Sequence, residues 1–419
     1  MSFSFTGKKM LVLINGNLID GTGSDPTPNT SVVINGNRIG NIGVDVKYPE
    51  YTEVIDVQNC TIIPGLIDCH VHLGGFTIDK PGQAIGKVTF TSMISFTWDY
   101  FRNYKHRRQL VIENGVTTIR SAGDLYPHII TLRDNITSGK FVGPRIVAPG
   151  PTITAQGGHP ASTIYKDNRY IIENAIRQIT NINEARDEVK KLVEGGVDCI
   201  KVIYSDVNPM DINQRVPRLP FDVLEVLVDE AHKHNLRIMV HTGSVNEIID
   251  SANVGADSIE HGILPGGEMS QFDDALIKSI LDNGIYFVPT LAIAWAYKEI
   301  YPAFFSNIKS LVKRLHGSGV KIAAGTDSGT PGVVIGKGLH SELALLVESG
   351  LSPMEAITAG TRNAAENIGK PDEIGTIEKG KLADLVVLQG NPLEDIRNTR
   401  NIEMVVKDGV ILINKHGLS

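Results

Sequence analysis

Two hydrophobic rhythms divide this 419-residue chain. Residues 1–62 read as short apolar runs broken by turn pairs: Met10 to Ile14 before Asn15-Gly16, Ser31 to Ile34 before Asn35-Gly36, and a third run from Arg38. Asn-Gly tolerates positive φ at both positions, so each pair predicts a hairpin turn and the segment predicts a small β unit.

From residue 63 the rhythm becomes apolar strand, polar loop and amphipathic helix, repeated. Apolar runs at 63–70, 117–121, 145–148, 199–204, 237–241, 258–261, 286–291 and 321–325 predict the strands. Stretches 182–194, 220–234 and 276–283 carry apolar residues at three- and four-residue intervals and predict helices between them. Strand and helix in this alternation imply an α/β fold, a (β/α)8 TIM-type barrel. A further helix is expected over 352–368, opened by Ser352-Pro353 with Glu355 in its first turn. Strand patterns return at Leu385 and Met404. Both ends of the chain are therefore β-rich, and they are expected to form one small composite β-sandwich domain. The implied division is 1–62 and 370–419 for that domain and 63–369 for the barrel.

Polar residues of metal-ligand type fall where such a barrel would use them, at the C-terminal ends of its strands. The first strand ends in His70-Val-His72, whose side chains lie on one side of an extended chain. The fifth ends at His241, the sixth at Glu260-His261 and the eighth leads to Asp327, while the fourth carries Lys201 inside an apolar run. Imidazoles with a carboxylate suit Zn²⁺ or a similar divalent ion. A protonated lysine cannot ligate, but burial beside cations depresses its pKa and exposes a neutral amine. Such an amine can add CO₂, giving a carbamate able to bridge two ions about 3.5–4 Å apart that share a hydroxide. Asp327 is placed to ligate and to carry the proton from that hydroxide to the leaving group. Asp68 is expected to orient a ligand imidazole. Cys69 and Cys199 are read as packing residues, and His340 as structural.

Composition narrows the partners. The chain is 42% hydrophobic and 21% charged, with a net charge of −7, which argues against nucleic acid or an anionic membrane as partner. Three cysteines without a CxxC spacing fit a reducing cytoplasm better than a disulfide scaffold. The apolar run Met10 to Ile14 is too short for a signal-peptide core or a membrane span. A small-molecule substrate and a homo-oligomer in the cytoplasm are expected.

The motifs together resemble a known family. Pro64-Gly-Leu-Ile-Asp-x-His70-x-His72, Ile200-Lys201, His241, Glu260-His261-Gly and Gly325-Thr-Asp327 are similar to the amidohydrolase superfamily, the subtype with two metals bridged by a carboxylated lysine. Later segments, from Leu339-His-Ser-Glu-Leu through Thr361-Arg-Asn-Ala-Ala to Gly375-Thr-Ile-Glu-Lys-Gly-Lys-Leu-Ala-Asp384 and Val406-Lys-Asp-Gly, resemble its imidazolonepropionase-like and prolidase-like branch. The resemblance implies that His70, His72 and Asp327 bind one ion, His241 and His261 the second, and carboxylated Lys201 bridges them. It also implies that His159, in the loop Gln156-Gly-Gly-His159, contacts the substrate carbonyl, with Tyr204 a further substrate-side candidate.

The activity implied is hydrolysis of a C–N bond in a dipeptide, an N-acyl amino acid or a cyclic amide. An esterase, lactonase or phosphotriesterase would use the same centre. A mononuclear deaminase typically places a glutamate closer to the strand-five histidine than Glu247 stands to His241, and needs no lysine. A non-catalytic scaffold would have lost ligands that are intact here. Substrate choice falls to loops 73–87, 154–170, 205–219, 263–272, 292–306 and 328–340, which contain Tyr165, Arg169, Arg215, Arg218, Trp295 and Tyr297. Any of these arginines could receive a substrate carboxylate.

Overall fold

The computed structural model describes residues 10–74, 103–267, 272–415 and 417–418, so the expected substrate loops 73–87 and 263–272 lie partly outside it. The chain begins with strands β1 (Met10–Leu18), β2 (Thr27–Asn35), β3 (Arg38–Gly43), β4 (Glu53–Asp56) and β5 (Thr61–Pro64). Parallel strands follow: β6 (Leu66–Val71), β7 (Val116–Ser121), β8 (Arg145–Val147), β9 (Thr152–Ala155), β10 (Ile176–Ile179), β11 (Cys199–Ile203), β12 (Arg237–His241), β13 (Ser258–Glu260) and β14 (Tyr286–Val288). The last strands are β15 (Leu385–Leu388), β16 (Ile402–Lys407) and β17 (Val410–Asn414).

The two ends of the chain share one sheet, ordered β17-β16-β15-β5-β1-β2-β3 with β4 paired to β1. Its own core includes Leu13, Val32, Ile34, Ile62, Leu385 and Met404. Asn35-Gly36 makes the expected hairpin, with Asn35 opposite Arg38. Asn15-Gly16 does not. The strand runs through it with an irregular register, Asn15 at φ 59°. This bend lets the first half of β1 pair with β4 and the second half with β5. Glycine is required because a Cβ at position 16 would lie 2.4 Å from Ile62 Cδ1.

The predicted first barrel strand splits in two. Thr61–Pro64 pairs with β1 and β15 in the terminal sheet, and only Leu66–Val71 pairs with β7. Gly65 is the crossing point: its N–H donates to Asp384 O at 2.8 Å, and a Cβ there would meet Thr117 Oγ1 at 2.2 Å.

The parallel strands form two sheets, β6-β7-β8 and β10-β9-β11-β12-β13-β14. Backbone bonds run between them on both sides. Asp198 N donates to Ala148 O (2.8 Å); on the other side, Phe287 N donates to Lys321 O (3.0 Å) and Cys69 N to Ala324 O (2.9 Å). Segment 321–325 thus lies between β14 and β6 as expected, although only the bridge Phe287–Ile322 is regular there. Strands β9 and β10 escaped the sequence reading.

Helices Ile182–Glu194, Phe221–Lys233 and Asp274–Asp282 lie where expected, each burying an apolar stripe. The helix expected over 352–368 is two, Pro353–Ala359 and Arg362–Asn367. The break frees the Gly360 carbonyl to accept from Ile67 N of β6 at 2.8 Å, so a tertiary bond replaces a helical one. Among the described residues no helix is long and apolar enough to cross a membrane.

Candidate metal centre

Three side chains at the ends of β6 and segment 321–325 converge. His70, His72 and Asp327 each offer one ligand atom, and these atoms lie within 4.8 Å of one another. Asp327 Oδ1 is 3.1 Å from His72 Nε2 and 3.5 Å from His70 Nε2. Asp327 adopts φ 58°, a costly conformation for a non-glycine residue, and its N–H donates to His70 O at 2.8 Å. Burial opposes the Asp327 charge, but the His72 hydrogen bond and the surrounding imidazoles outweigh it and hold the carboxyl far below its usual range. Burial also opposes charge on His72, yet the bond and charge of Asp327 raise its pKa.

The other expected ligands lie alongside. The His261 ring centroid is 4.7 Å from that of His70 and 4.5 Å from that of His241. Burial, then the neighbouring imidazole and lysine, keeps His241 neutral; burial brings His261 down to about 4. Lys201 is 2% exposed, and burial lowers its ammonium pKa to about 8. Among the described residues, two nitrogen atoms of this set, Lys201 Nζ and His241 Nε2, are buried without a hydrogen-bond partner. Buried nitrogen atoms without partners are costly, and a bound cation with an intervening anion would satisfy them. The donor set therefore fits divalent cations.

A layer beneath the imidazoles orients them. His70 Nδ1 is 2.6 Å from Glu260 Oε2, while Glu260 Oε1 accepts from Arg120 at 2.7 Å and from Ser258. Arg120 also donates to Cys69 O (2.8 Å) and Asn367 Oδ1 (3.4 Å). His261 Nδ1 meets Thr290 Oγ1 at 2.8 Å. Asp68 was expected to orient an imidazole and does not. It accepts from the His70 N–H (3.2 Å), the Thr326 N–H (3.0 Å) and the Thr326 hydroxyl (2.7 Å), joining β6 to the segment before Asp327. Sequence pattern marks Glu260 only as part of a strand-end motif and leaves Arg120 unmarked, although a lone charge on β7 is the same kind of signal as Lys201 on β11.

The substrate-side candidates separate. His159 is buried, its ring centroid 5.5 Å from that of His241 and its Nδ1 2.7 Å from Thr163 Oγ1. Burial lowers its pKa to about 4. Tyr204 is engaged elsewhere: its hydroxyl donates to Asp250 at 2.7 Å and Arg218 stacks on its ring at 4.6 Å. Each candidate arginine meets a carboxylate of the protein, Arg169 with Glu173, Arg215 with Asp206 and Arg218 with Asp250 and Glu247. Cys69 and Cys199 lie buried in one apolar cluster.

Parallel strands with His70, His72 and Asp327 gathered at their ends define the class, an α/β protein with three side chains placed where they could hold a cation. The chain belongs to the amidohydrolase family, whose model matches residues 61–412. It is 26% identical to ochratoxinase from Aspergillus niger over 93% of this chain and 83% of that one. Identity to imidazolonepropionase from Geobacillus thermodenitrificans is 24%, over 87% of this chain and 83% of the relative. The structure of a Xaa-Pro dipeptidase with bound methionine superposes with a TM-score of 0.81 at 28% identity, covering 97% of this chain and 100% of that one. The imidazolonepropionase-like and prolidase-like resemblance is thereby borne out.

Proposed function

We propose that the protein is a metal-dependent hydrolase that cleaves a C–N bond in an amide or peptide-like small molecule: a dipeptide, an N-acyl amino acid or a cyclic amide. The observation that carries this reading is the buried, unpartnered Lys201 amine beside the unpartnered Nε2 of His241. In the ligand assignment we favour, His70, His72 and Asp327 hold one ion, and His241 and His261 hold another. The neutral amine of Lys201 could add CO₂ with loss of a proton, and as a carbamate Lys201 would supply an anionic oxygen ligand beside these imidazoles. When bound, two divalent cations supply the Lewis acidity that activates a water and polarises the scissile carbonyl.

The chain's own residues do the rest. Asp327, an ionised carboxylate at the centre of the imidazoles, accepts the water proton and returns it to the leaving amine. His159 faces the centre with Nδ1 anchored on Thr163, leaving Nε2 for the substrate carbonyl. Glu247 speaks against deamination: its carboxylate takes the N–H groups of Asp206 (2.9 Å) and Gly243 (2.5 Å) and serves the loops.

The same reading takes 63–369 as a (β/α)8 barrel and 1–62 with 370–419 as a composite β-sandwich domain. The backbone bonds on both sides of the two parallel sheets support the barrel, and the terminal sheet shared by the two chain ends, which takes in Ile63 and Pro64, supports joining those ends in one domain. Three unpaired cysteines favour the cytoplasm. The test is elemental analysis of protein expressed with zinc or manganese, alongside hydrolysis assays on N-acyl amino acids, Xaa-Pro and other dipeptides, and cyclic amides. About two ions per chain and turnover of one of these classes are expected. A chain that takes up no ion, or that cleaves only esters, overturns the reading.

A further inference from the structure

A carboxylate outside the ligand set is tied to it through two backbone amides. Glu342, on the helix Lys337–Glu348, is completely buried, and among the described residues it has no ion-pair partner. Its Oε1 accepts from Leu291 N at 3.0 Å and its Oε2 from Ala292 N at 2.6 Å. Those amides directly follow Thr290, whose hydroxyl meets His261 Nδ1 at 2.8 Å. Thr290 is β-branched and sits at φ 50°, and His261 itself is at φ 65°. Two side-chain-bearing residues in the left-handed region, bonded to one another, persist only where their surroundings over-determine them. A carboxyl group gripping the next two amides supplies that constraint, because both bonds are buried and the medium is dry.

We infer that Glu342 is a positioning residue for His261: it fixes the Thr290 backbone, which sets the tautomer and ring orientation that present His261 Nε2 to a cation. The helix carrying Glu342 follows the segment that supplies Asp327, and the segment it grips follows β14. Glu342 therefore couples the Asp327 side of the centre to the His241–His261 side. A burial-only role for so costly a group is a poor alternative, since an apolar side chain would fill the same space without the desolvation penalty.

The inference rests on the reading that His261 holds an ion, and the experiment separates the two. Glu342→Gln keeps the shape but leaves one amide without an acceptor; Thr290→Val keeps the β-branch and removes the hydroxyl. Both variants and the wild type are compared by zinc content, by the visible spectrum after cobalt substitution, by kcat and KM, and by melting temperature. Both variants should lose metal from one of two positions, with affinity and kcat falling about 10–100-fold while KM changes little. The double variant should be no worse than the stronger single one, because both act through one bond. Wild-type metal content and kcat in a folded Glu342→Gln protein overturn the inference, as does a melting-temperature loss with an unchanged cobalt spectrum. A wild-type chain that binds no ion overturns the parent reading with it. If Glu342→Gln does not fold, Thr290→Val decides between these outcomes alone.

Discussion

The Glu260 carboxylate holds the His70 imidazole at 2.6 Å, and it can do so as an anion because Arg120 neutralises its other oxygen at 2.7 Å. All three are buried, so the arrangement works only as a unit. Replacing Glu260 by Gln should weaken metal binding about 10–100-fold by releasing the His70 tautomer. It should also lower stability by about 3 kcal/mol by leaving Arg120 short of its counter-charge. Metal titration and urea unfolding measure the two effects separately; unchanged metal affinity would detach Glu260 from the centre.

If Lys201 serves as the proposed carbamate ligand, Lys201→Ala should lose part of the metal and at least about 100-fold in turnover. Formate or acetate at high concentration should recover some of both, by standing in for the carbamate. A fully active alanine variant would rule the carbamate out.

Asp327→Asn tests the proton path. The amide keeps the volume and the bond to His72 but cannot take a proton. A fall in kcat of about 10²–10⁴-fold is expected, with circular dichroism unchanged. Substantial residual turnover would remove Asp327 as the proton carrier.

Gly65 is where the chain leaves one sheet for another, and there is no room for a methyl group beside Thr117. Gly65→Ala should cost about 1–3 kcal/mol through overpacking. In a Thr117→Ala background the same substitution should cost much less. Equal losses in both backgrounds would place the strain elsewhere.

His340 lies against Thr399, and burial followed by the charge of Arg400 brings its pKa down to about 4. The unfolded chain, with an ordinary imidazole, binds this proton first as the pH falls. Stability from His340 is therefore whole above about pH 6.5 and drains away as the pH falls toward 4, by about 3 kcal/mol. In metal-free protein, His340→Gln should show a shallower loss between pH 7 and 4.5 than the wild type. Parallel curves would show that His340 takes up its proton at the same pH in the folded and unfolded chains.

How much of this was legible in the sequence follows from the range of the interactions. Local pattern predicted the helix Ile182–Glu194 to its ends, because its apolar spacing is written within one short stretch. It also marked His70, His72, His241, His261 and Asp327 by their places at strand ends, and Lys201 by its contrast with apolar neighbours. Tertiary structure decided what local pattern could not. Asn15-Gly16 became a bend because β4 and β5 both claim β1, and the helix at 352–368 broke because Ile67 claims the Gly360 carbonyl. Glu260, not Asp68, orients His70, because that depends on Arg120 arriving from another strand. Residue type and spacing determine which groups are available. Which of them meet is decided by hydrogen bonds and desolvation between segments from about forty to nearly three hundred residues apart, and no local pattern encodes those.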